Sequence, residues 1–473
     1  MNDQTNQKLH SVKVPRIYKQ SAGILAAFIR GEGSVKDLVY NQTGKNRHPR
    51  INAVYALVSE AARNENILSR LFSVTGLIEK EHPLDPCLAK ILASELLWGK
   101  GLLKAGDSKP VLTLLKYEKE LKKNIDVSIT SKKNNSKYDI PRYVRVNLLN
   151  ATNVSRVIAT LKNDGFQELL YDKENTSYSK FLVMVEKLEV NQFLVDFHFD
   201  DLLAFGARTT FFDYKLYDDG VLILQDKASC LAVEALNPPR GSCILDACAA
   251  PGMKTLQAVS KTNSLITCSN NRTIAVERDF KRCKTLRSLV QKYGAGNIQV
   301  INSDFLELKP NDFSQVEYIV LDPSCSGSGI FHRNEQNEQQ SPERIEKLAN
   351  LQSKLLRHAL SFPNVIRVAY STCSVHKEEN EEVVIKVLNG DETHKPIKHF
   401  RLKENCLPTW ERRGLSEYGE LANSFIRSEP KTDLGIGFFV GVLERVSSDL
   451  QCKKNYKRNS SPSDIPKKKQ KSK

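Results

Sequence analysis

Two cysteines stand in loops that each close a short apolar run: V-L-D-P-S-C-S-G-S-G at 320–329 and V-A-Y-S-T-C-S at 368–374. A third stretch, I-L-D-A-C-A-A-P-G-M-K-T at 244–255, has the same form. An apolar run that ends abruptly in acids, thiols and glycines reads as a buried parallel strand opening into a site loop. In an open α/β sheet, ligands bind outside the carboxyl ends of the strands, so the three loops are expected side by side. Cys325 and Cys373 are then candidate nucleophiles. A thiol beside hydroxyls, backbone amides and basic groups can be one, provided its pKa is lowered.

The first loop precedes a helix. Gly252 permits a tight turn and close approach of backbone to a ligand, and the helix amides behind it favour a polar or anionic group. The pattern is neither a Walker loop nor G-x-G-x-x-G, which disfavours nucleotide phosphate. Glu277 ends the next strand, where a carboxylate can accept both hydroxyls of a ribose. Asp304, in N-S-D-F, follows the third strand and can accept from an adenine amino group. Each acid alone reads as well as a surface carboxylate or helix cap. Three acids at successive strand ends point together to a nucleoside cofactor without phosphates, and S-adenosylmethionine fits. Methylation at C5 of a pyrimidine needs a thiolate, because that carbon is a poor nucleophile until sulfur has added at C6. Asp322 can hydrogen-bond the pyrimidine edge, a role that can require it protonated.

These strands need a scaffold. From about Leu216 to Val446 the pattern is β-then-α, with strands expected at Cys243–Asp246, Thr273–Glu277, Ile298–Ile301, Tyr318–Asp322, Ile366–Ser371 and Gly437–Glu444. Helices are expected at Ser341–Leu360 and Lys377–Leu388, and the last strand as an antiparallel addition. Upstream, Ser21 to about Lys123 is spaced as a helical bundle, with Ala53, Leu57, Val58 and Ala61 on one face and Leu68, Leu71 and Phe72 on another. Residues 131–139 form a polar breaker. Then Pro141–Asn147 alternates as a strand, Asn153–Lys162 as an amphipathic helix, and Val183–His198 carries more strand-like runs, a small α+β module. Arg142 and Arg145 at its start are placed to reach phosphate.

The chain has 473 residues, enough for two or three domains, and 40% hydrophobic residues, enough for a sizeable core. Its net charge of +15 is uneven: residues 452–473 hold nine Lys or Arg against one Asp, about half the excess. Such a tail reads as a disordered, nucleic-acid-binding arm or a nuclear address. The ten cysteines show neither a secreted framework nor zinc knuckles, and the N-terminus lacks a signal peptide's apolar core. The expectation is a soluble intracellular protein with no membrane span and no metal.

In order and separation, D-A-C-A-A-P-G-M-K-T, L-D-P-S-C-S-G-S-G and Y-S-T-C-S resemble the Sun-domain (RsmB-like) RNA cytosine-C5 methyltransferases. P-R-Y-V-R-V-N, L-P-T-W-E-R-R-G-L (407–415) and G-F-F-V-G-V-L-E-R-V (437–446) resemble the fifth subfamily, whose members methylate large-subunit ribosomal RNA. The resemblance implies an α/β fold: a Rossmann-like class I S-adenosylmethionine-dependent methyltransferase domain on a mostly parallel seven-stranded sheet, preceded by a helical domain and an RNA-recognition-like α+β subdomain. It divides the chain into a flexible N-terminus (1–20), a helical domain (21–130), an RNA-binding subdomain (139–215), a catalytic domain (216–446) and a disordered basic tail (447–473). The residues alone do not rank the two thiols. The resemblance makes Cys373 the nucleophile and gives Cys325 a part in product release, with Asp322 on the base. It places Cys248, Ala249, Ala250, Pro251, Gly252, Met253, Lys254, Glu277, Arg282, Asp304 and Asp322 around S-adenosylmethionine. It implies a monomer acting on large-subunit rRNA or a pre-ribosomal particle in the nucleus and nucleolus.

The chain departs from the family pattern at four places. Met253 stands for the usual Gly, Glu277 for Asp, Pro323 and Ser324 are in reversed order, and 262–272 is longer and more polar. Two rivals are a transfer or messenger RNA methyltransferase and an inactive ribosome-assembly factor that keeps the fold for binding.

Overall fold

A computed structural model describes residues 13–33, 35–40, 48–99, 106–125, 140–151, 153–262, 273–296, 298–330 and 341–446. The basic tail, the 131–139 breaker and most of the 262–272 stretch lie outside them. The chain divides into two compact units, residues 1–137 and 138–473.

The first unit is helical throughout its described length, from Arg16–Ile29 to Glu118–Asn124. Helix Pro86–Trp98 starts on Asp85, whose side chain accepts the Leu88 N–H at 2.6 Å, with proline at the first helical position. Helix Ile51–Arg63 buries Val54, Val58, Ala61 and Ala62. The stripe is therefore centred one position from the expected Ala53 and Leu57, which stay half-buried. Leu68, Leu71 and Phe72 are buried as their spacing predicts.

The second unit holds two sheets. The smaller comprises β1 (Arg142–Val146), β2 (Gln167–Glu168), β3 (Gln192–Val195), β4 (Leu202–Phe205) and β5 (Leu222–Leu224), in the order β2-β3-β4-β1-β5. Helices Val154–Asn163 and Tyr178–Glu186 accompany it. The second helix corrects the reading of Val183–His198: only Gln192–Val195 is strand there. Tyr178, Phe181 and Val185 are buried at helical spacing behind a Ser177 cap, and this overrides the β-branched run. Arg145 is corrected too. It is buried and gives its Nε–H to Gln225 at 2.8 Å, so it does not reach solvent phosphate.

The larger sheet is built from β6 (Ile244–Asp246), β7 (Ile274–Val276), β8 (Gln299–Ile301), β9 (Tyr318–Leu321), β10 (Arg367–Thr372), β11 (Phe400–Leu402), β12 (Phe425–Ser428) and β13 (Phe438–Arg445). Seven strands run in the order β11-β13-β10-β9-β6-β7-β8, and β12 also pairs with β13. Strands β6 to β10 pair in parallel, whereas β13 is antiparallel to β10, β11 and β12. The chain order reverses between β6 and β9. That is the topological switch point, and the two motif loops leave from these strands. None of the helices in the described residues is long and apolar enough to cross a membrane.

Candidate active site at the strand ends

Residues 247–252 leave β6 with the Ala247 N–H bonded to Val320 O and the Ala249 N–H to Val276 O, both at 2.9 Å. Those bonds stitch the loop to the ends of β9 and β7. Gly252 has φ +117°, and a Cβ there would meet Leu286 Cδ1 at 2.8 Å, so the turn needs glycine for both conformation and space. Ala249 and Ala250 are buried and Pro251 is exposed. Met253 opens helix Met253–Thr262 and packs, half-buried, against the cluster of Ala249, Leu286 and Val290. Its side chain thus has apolar neighbours in this cluster.

Glu277 is only 5% exposed after β7 and accepts from two backbone amides, Ala250 at 3.3 Å and Asp279 at 2.9 Å. Arg282 bridges the same loop, donating to Ala250 O at 2.6 Å and standing 3.7 Å from Glu277. Asp304 caps the short helix Phe305–Glu307 and pairs with Arg278 at 3.5 Å. The cap reading is therefore realised there. Asn302, from the same loop, donates to Glu277 O at 2.7 Å. Phe280, at the first position of helix Phe280–Lys292, is 68% exposed.

Asp322 ends β9 and joins three elements. Lys254 Nζ is 2.8 Å from Oδ2, and Ser371 of β10 donates to Oδ1 at 2.7 Å. The ammonium also lies 5.1 Å from the Phe438 ring centroid. Burial works against the Lys254 charge, but the Asp322 charge and hydrogen bond, with help from Asp246 and Cys373, outweigh it and raise its pKa. Lys254 was grouped by sequence with the cofactor loop; its side chain turns toward Asp322 and the thiols. Asp246, fully buried with Thr255 donating to Oδ2 at 2.7 Å, is pushed up to about 6 by burial.

Cys325 and Cys373 meet with their sulfurs 3.2 Å apart, and both are free thiols. The hydrogen bond to Cys373, then burial, then the charges of Cys373 and Asp322 hold the Cys325 thiol far above its ordinary range. Either sulfur can be the donor of this contact, and the Cys325 thiol is the one held above its ordinary range. Burial likewise pushes the Cys248 thiol far up, leaving it inert.

A buried network that the sequence did not disclose fixes the two cysteine loops. The Glu379 carboxylate accepts from Ser326 N at 2.9 Å, Gln352 Nε2 at 3.0 Å and Ser374 Oγ at 2.6 Å. Asn380 accepts from Thr372 Oγ1 at 2.5 Å and donates to Ser374 O at 2.9 Å. The K-E-E-N run soon after Y-S-T-C-S was its only trace, read as the start of a helix. Gly329 adds a backbone clasp: its N–H bonds to Cys373 O and its carbonyl accepts from Gly437 N. A Cβ on Gly329 would stand 2.2 Å from Gly437 O, so no side chain fits. A cleft of about 340 Å³ opens between helices Pro342–Leu360 and Glu381–Asn389, but none of its lining residues carries the loop-cluster chemistry.

Chemically, the cluster offers a glycine cradle and a nearly buried carboxylate on one side, and a cation-carboxylate pair facing two thiols on the other. The first half suits a neutral ribose with its base; the second suits addition of sulfur to an electron-poor ring.

Residues 233–443 match the family of 16S rRNA methyltransferases RsmB/F. Residues 140–225 match the ferredoxin-like domain, and 52–139 the N-terminal domain, of NOL1/NOP2/Sun domain family member 5. The 28S rRNA (cytosine-C(5))-methyltransferase of Mus musculus is 38% identical over 91% of both chains. That of Drosophila melanogaster is 35% identical over 93% of this chain and 98% of its own. The 25S rRNA (cytosine-C(5))-methyltransferase rcm1 of Schizosaccharomyces pombe is 33% identical over 93% and 94%. In fold, the chain is similar to the crystal structure of PH0851, with TM-score 0.60 and 19% identity over 92% of this chain and 100% of that one.

Proposed function

The chain belongs to the NOL1/NOP2/Sun domain family, on the branch of its fifth member, and from that premise we propose that it methylates C5 of a cytosine in large-subunit ribosomal RNA. The observation that carries the reading is the pair of free thiols 3.2 Å apart beside the Lys254–Asp322 ion pair. A small-molecule methyltransferase has no need of that pair.

The cofactor is S-adenosylmethionine, and the residues present fit it. Glu277 suits the ribose hydroxyls and Asp304 the adenine amine. The 248–254 loop, cradled at Gly252, leaves room for close backbone approach, with Arg282 holding the loop to Glu277. When bound, the cofactor supplies an electrophilic methyl group. Cys373 adds as thiolate to C6 of the base, forming a carbon-sulfur bond and making C5 electron-rich. Lys254 favours that thiolate and Asp322 hydrogen-bonds the pyrimidine edge. After C5 has gained the methyl group its proton passes to solvent, the C5–H electron pair re-forms the C5–C6 double bond, and the C6–S bond breaks to release the Cys373 thiolate. Cys325, in contact with the Cys373 sulfur, assists that departure. The target base must be single-stranded or flipped out, since C5 and C6 are otherwise shielded by stacking.

Large-subunit rRNA or a pre-ribosomal particle is the substrate, and the nucleus and nucleolus the place of action, supported by the relatives' substrates. The assembly-factor rival rests on Met253 and the 262–272 stretch, whereas both thiols and the acids are retained. Incubation of the protein with labelled S-adenosylmethionine and either large-subunit rRNA or transfer RNA tests the proposal. Label at cytosine C5 of the rRNA is expected; label in transfer RNA alone, or binding without turnover, would overturn it.

A further inference from the structure

Helix Phe280–Lys292 runs from the cofactor end of β7 with Cys283, Leu286 and Val290 turned into the core. Every charged residue on the rest of its surface is basic: Lys281, Arg282, Lys284, Arg287 and Lys292, all exposed. No acid lies within the helix, and Asp279 before it is spent as the cap on Arg282 N. Lys281, Lys284 and Arg287 follow one another a turn apart and have no acidic partner among the described residues. Arg287 makes only a long bond to Val300 O at 3.5 Å.

This arrangement works against the helix that carries it. Like charges three residues apart repel, and cations in the first turn oppose the helix dipole. Other helices of the second unit offset their basic residues with acids. Pro342–Leu360 interleaves Glu343 and Glu346 with its basic residues, and Glu381–Asn389 sets Glu381 and Glu382 against Lys386. The lysines of Met253–Thr262 are each paired, Lys254 with Asp322 and Lys261 with Glu234. An ordinary solvated face carries both signs; a face of one sign suits a partner of the other.

The position of the helix says which partner. Its first turn adjoins Glu277 and the cradle loop. At its last turn, Lys292 Nζ lies 4.8 Å from the Tyr217 ring centroid, and Asn150 donates to Lys292 O at 3.5 Å, both in the smaller-sheet module. The basic face thus spans about 20 Å from the cofactor end to the smaller sheet. We propose that it docks the sugar-phosphate backbone of the RNA strand that carries the target base, which rests on the RNA-methylating reading above. Lys281, Lys284 and Arg287 contact phosphates, while Arg282 stays with the cofactor loop.

The test uses the full chain, wild type and K281A/K284A/R287A, with a fluorescent oligocytidylate and with large-subunit rRNA. Neutralising three phosphate contacts should flatten the slope of log affinity against log salt by about 2. KM for rRNA should rise about tenfold, with kcat, S-adenosylmethionine affinity and melting temperature unchanged. The charge-keeping K281R/K284R/R287K should behave as wild type. An unaltered slope and KM in the alanine variant would overturn the proposal. Were the wild type to transfer no methyl group to any RNA, the activity itself would fail, while the salt slope would still report on the surface.

Discussion

Lys254 stands where the ionisation of the site is decided. Its ammonium is held by Asp322 at 2.8 Å and reinforced electrostatically by Cys373, so it in turn favours negative charge on that sulfur. Lys254→Met is expected to move the pH at which Cys373 is alkylated upward, in a Cys325→Ala background, and to lower methyl transfer. Lys254→Arg should restore part of both. An unmoved alkylation profile, read by mass spectrometry of the Cys373 peptide, would remove Lys254 from this role. At this scale the sequence was informative about identities and poor about pairings. D-P-S-C, S-T-C-S and D-A-C-A-A-P-G announced the site, because strand-end thiols and acids have few other uses. That Lys254 reaches back to Asp322 depends on a helix phase and a strand register, and neither is written in the motif.

Between elements, the two cysteine loops are held by one carboxylate. Glu379 lies entirely inside the protein and collects donors from the 324–329 loop, from helix Pro342–Leu360 and from the loop after β10. Glu379→Ala removes the acceptor that Ser326 N–H, Ser374 Oγ and the Gln352 amide share, and leaves the Gln352 amide only Ser324 O, at about 1–3 kcal/mol for each hydrogen bond lost. Its melting temperature and kcat should both fall. Glu379→Gln can keep one oxygen facing both N–H donors. It should fold as wild type with a reduced kcat, an unchanged KM for RNA and a slower alkylation of Cys373. Equal kcat in the glutamine variant would show the network to be structural only. Strands β6 to β10 and β13 were legible because each is an apolar run with a polar stop. Strands β11 and β12 were not: F-R-L and F-I-R-S are short, and each carries an arginine to a sheet margin. The helix at Tyr178–Glu186 was hidden by its β-branched residues, and Arg145 by the rule that arginines stay outside.

Across the second unit, the two sheets are joined by a buried cluster. Lys227 Nζ lies 2.7 Å from Asp196 Oδ2, with the Tyr178 and Trp410 ring centroids within 4.7 and 5.4 Å. His198 packs on Tyr178 and Trp410, and its Nε2 lies 3.0 Å from Thr409 O. Burial, then the Lys227 charge, lowers the His198 pKa to about 4. A histidine depressed in the folded state binds its proton less readily there than in the unfolded chain. As pH falls from 6.5 toward 4 the unfolded state gains protons first, and folded stability is lost, by up to about 3 kcal/mol. Asp246, raised to about 6, acts in the opposite sense, gaining stability as pH falls through that value. The His198 contribution is therefore read as a difference: between pH 7 and 4.5 in urea melts, wild type should lose stability relative to His198→Gln. Parallel profiles would contradict the assignment. No single segment of the sequence signals this cluster, since its members come from four separate stretches.

The measurement that bears most directly on the account is methyl transfer to large-subunit rRNA by wild type, Cys373→Ala and Cys325→Ala, with denaturing gels of each reaction. Turnover by wild type is expected, none by Cys373→Ala, and a protein-RNA adduct that survives denaturation in Cys325→Ala. Full activity in Cys373→Ala, or an adduct that persists without Cys373, would contradict it.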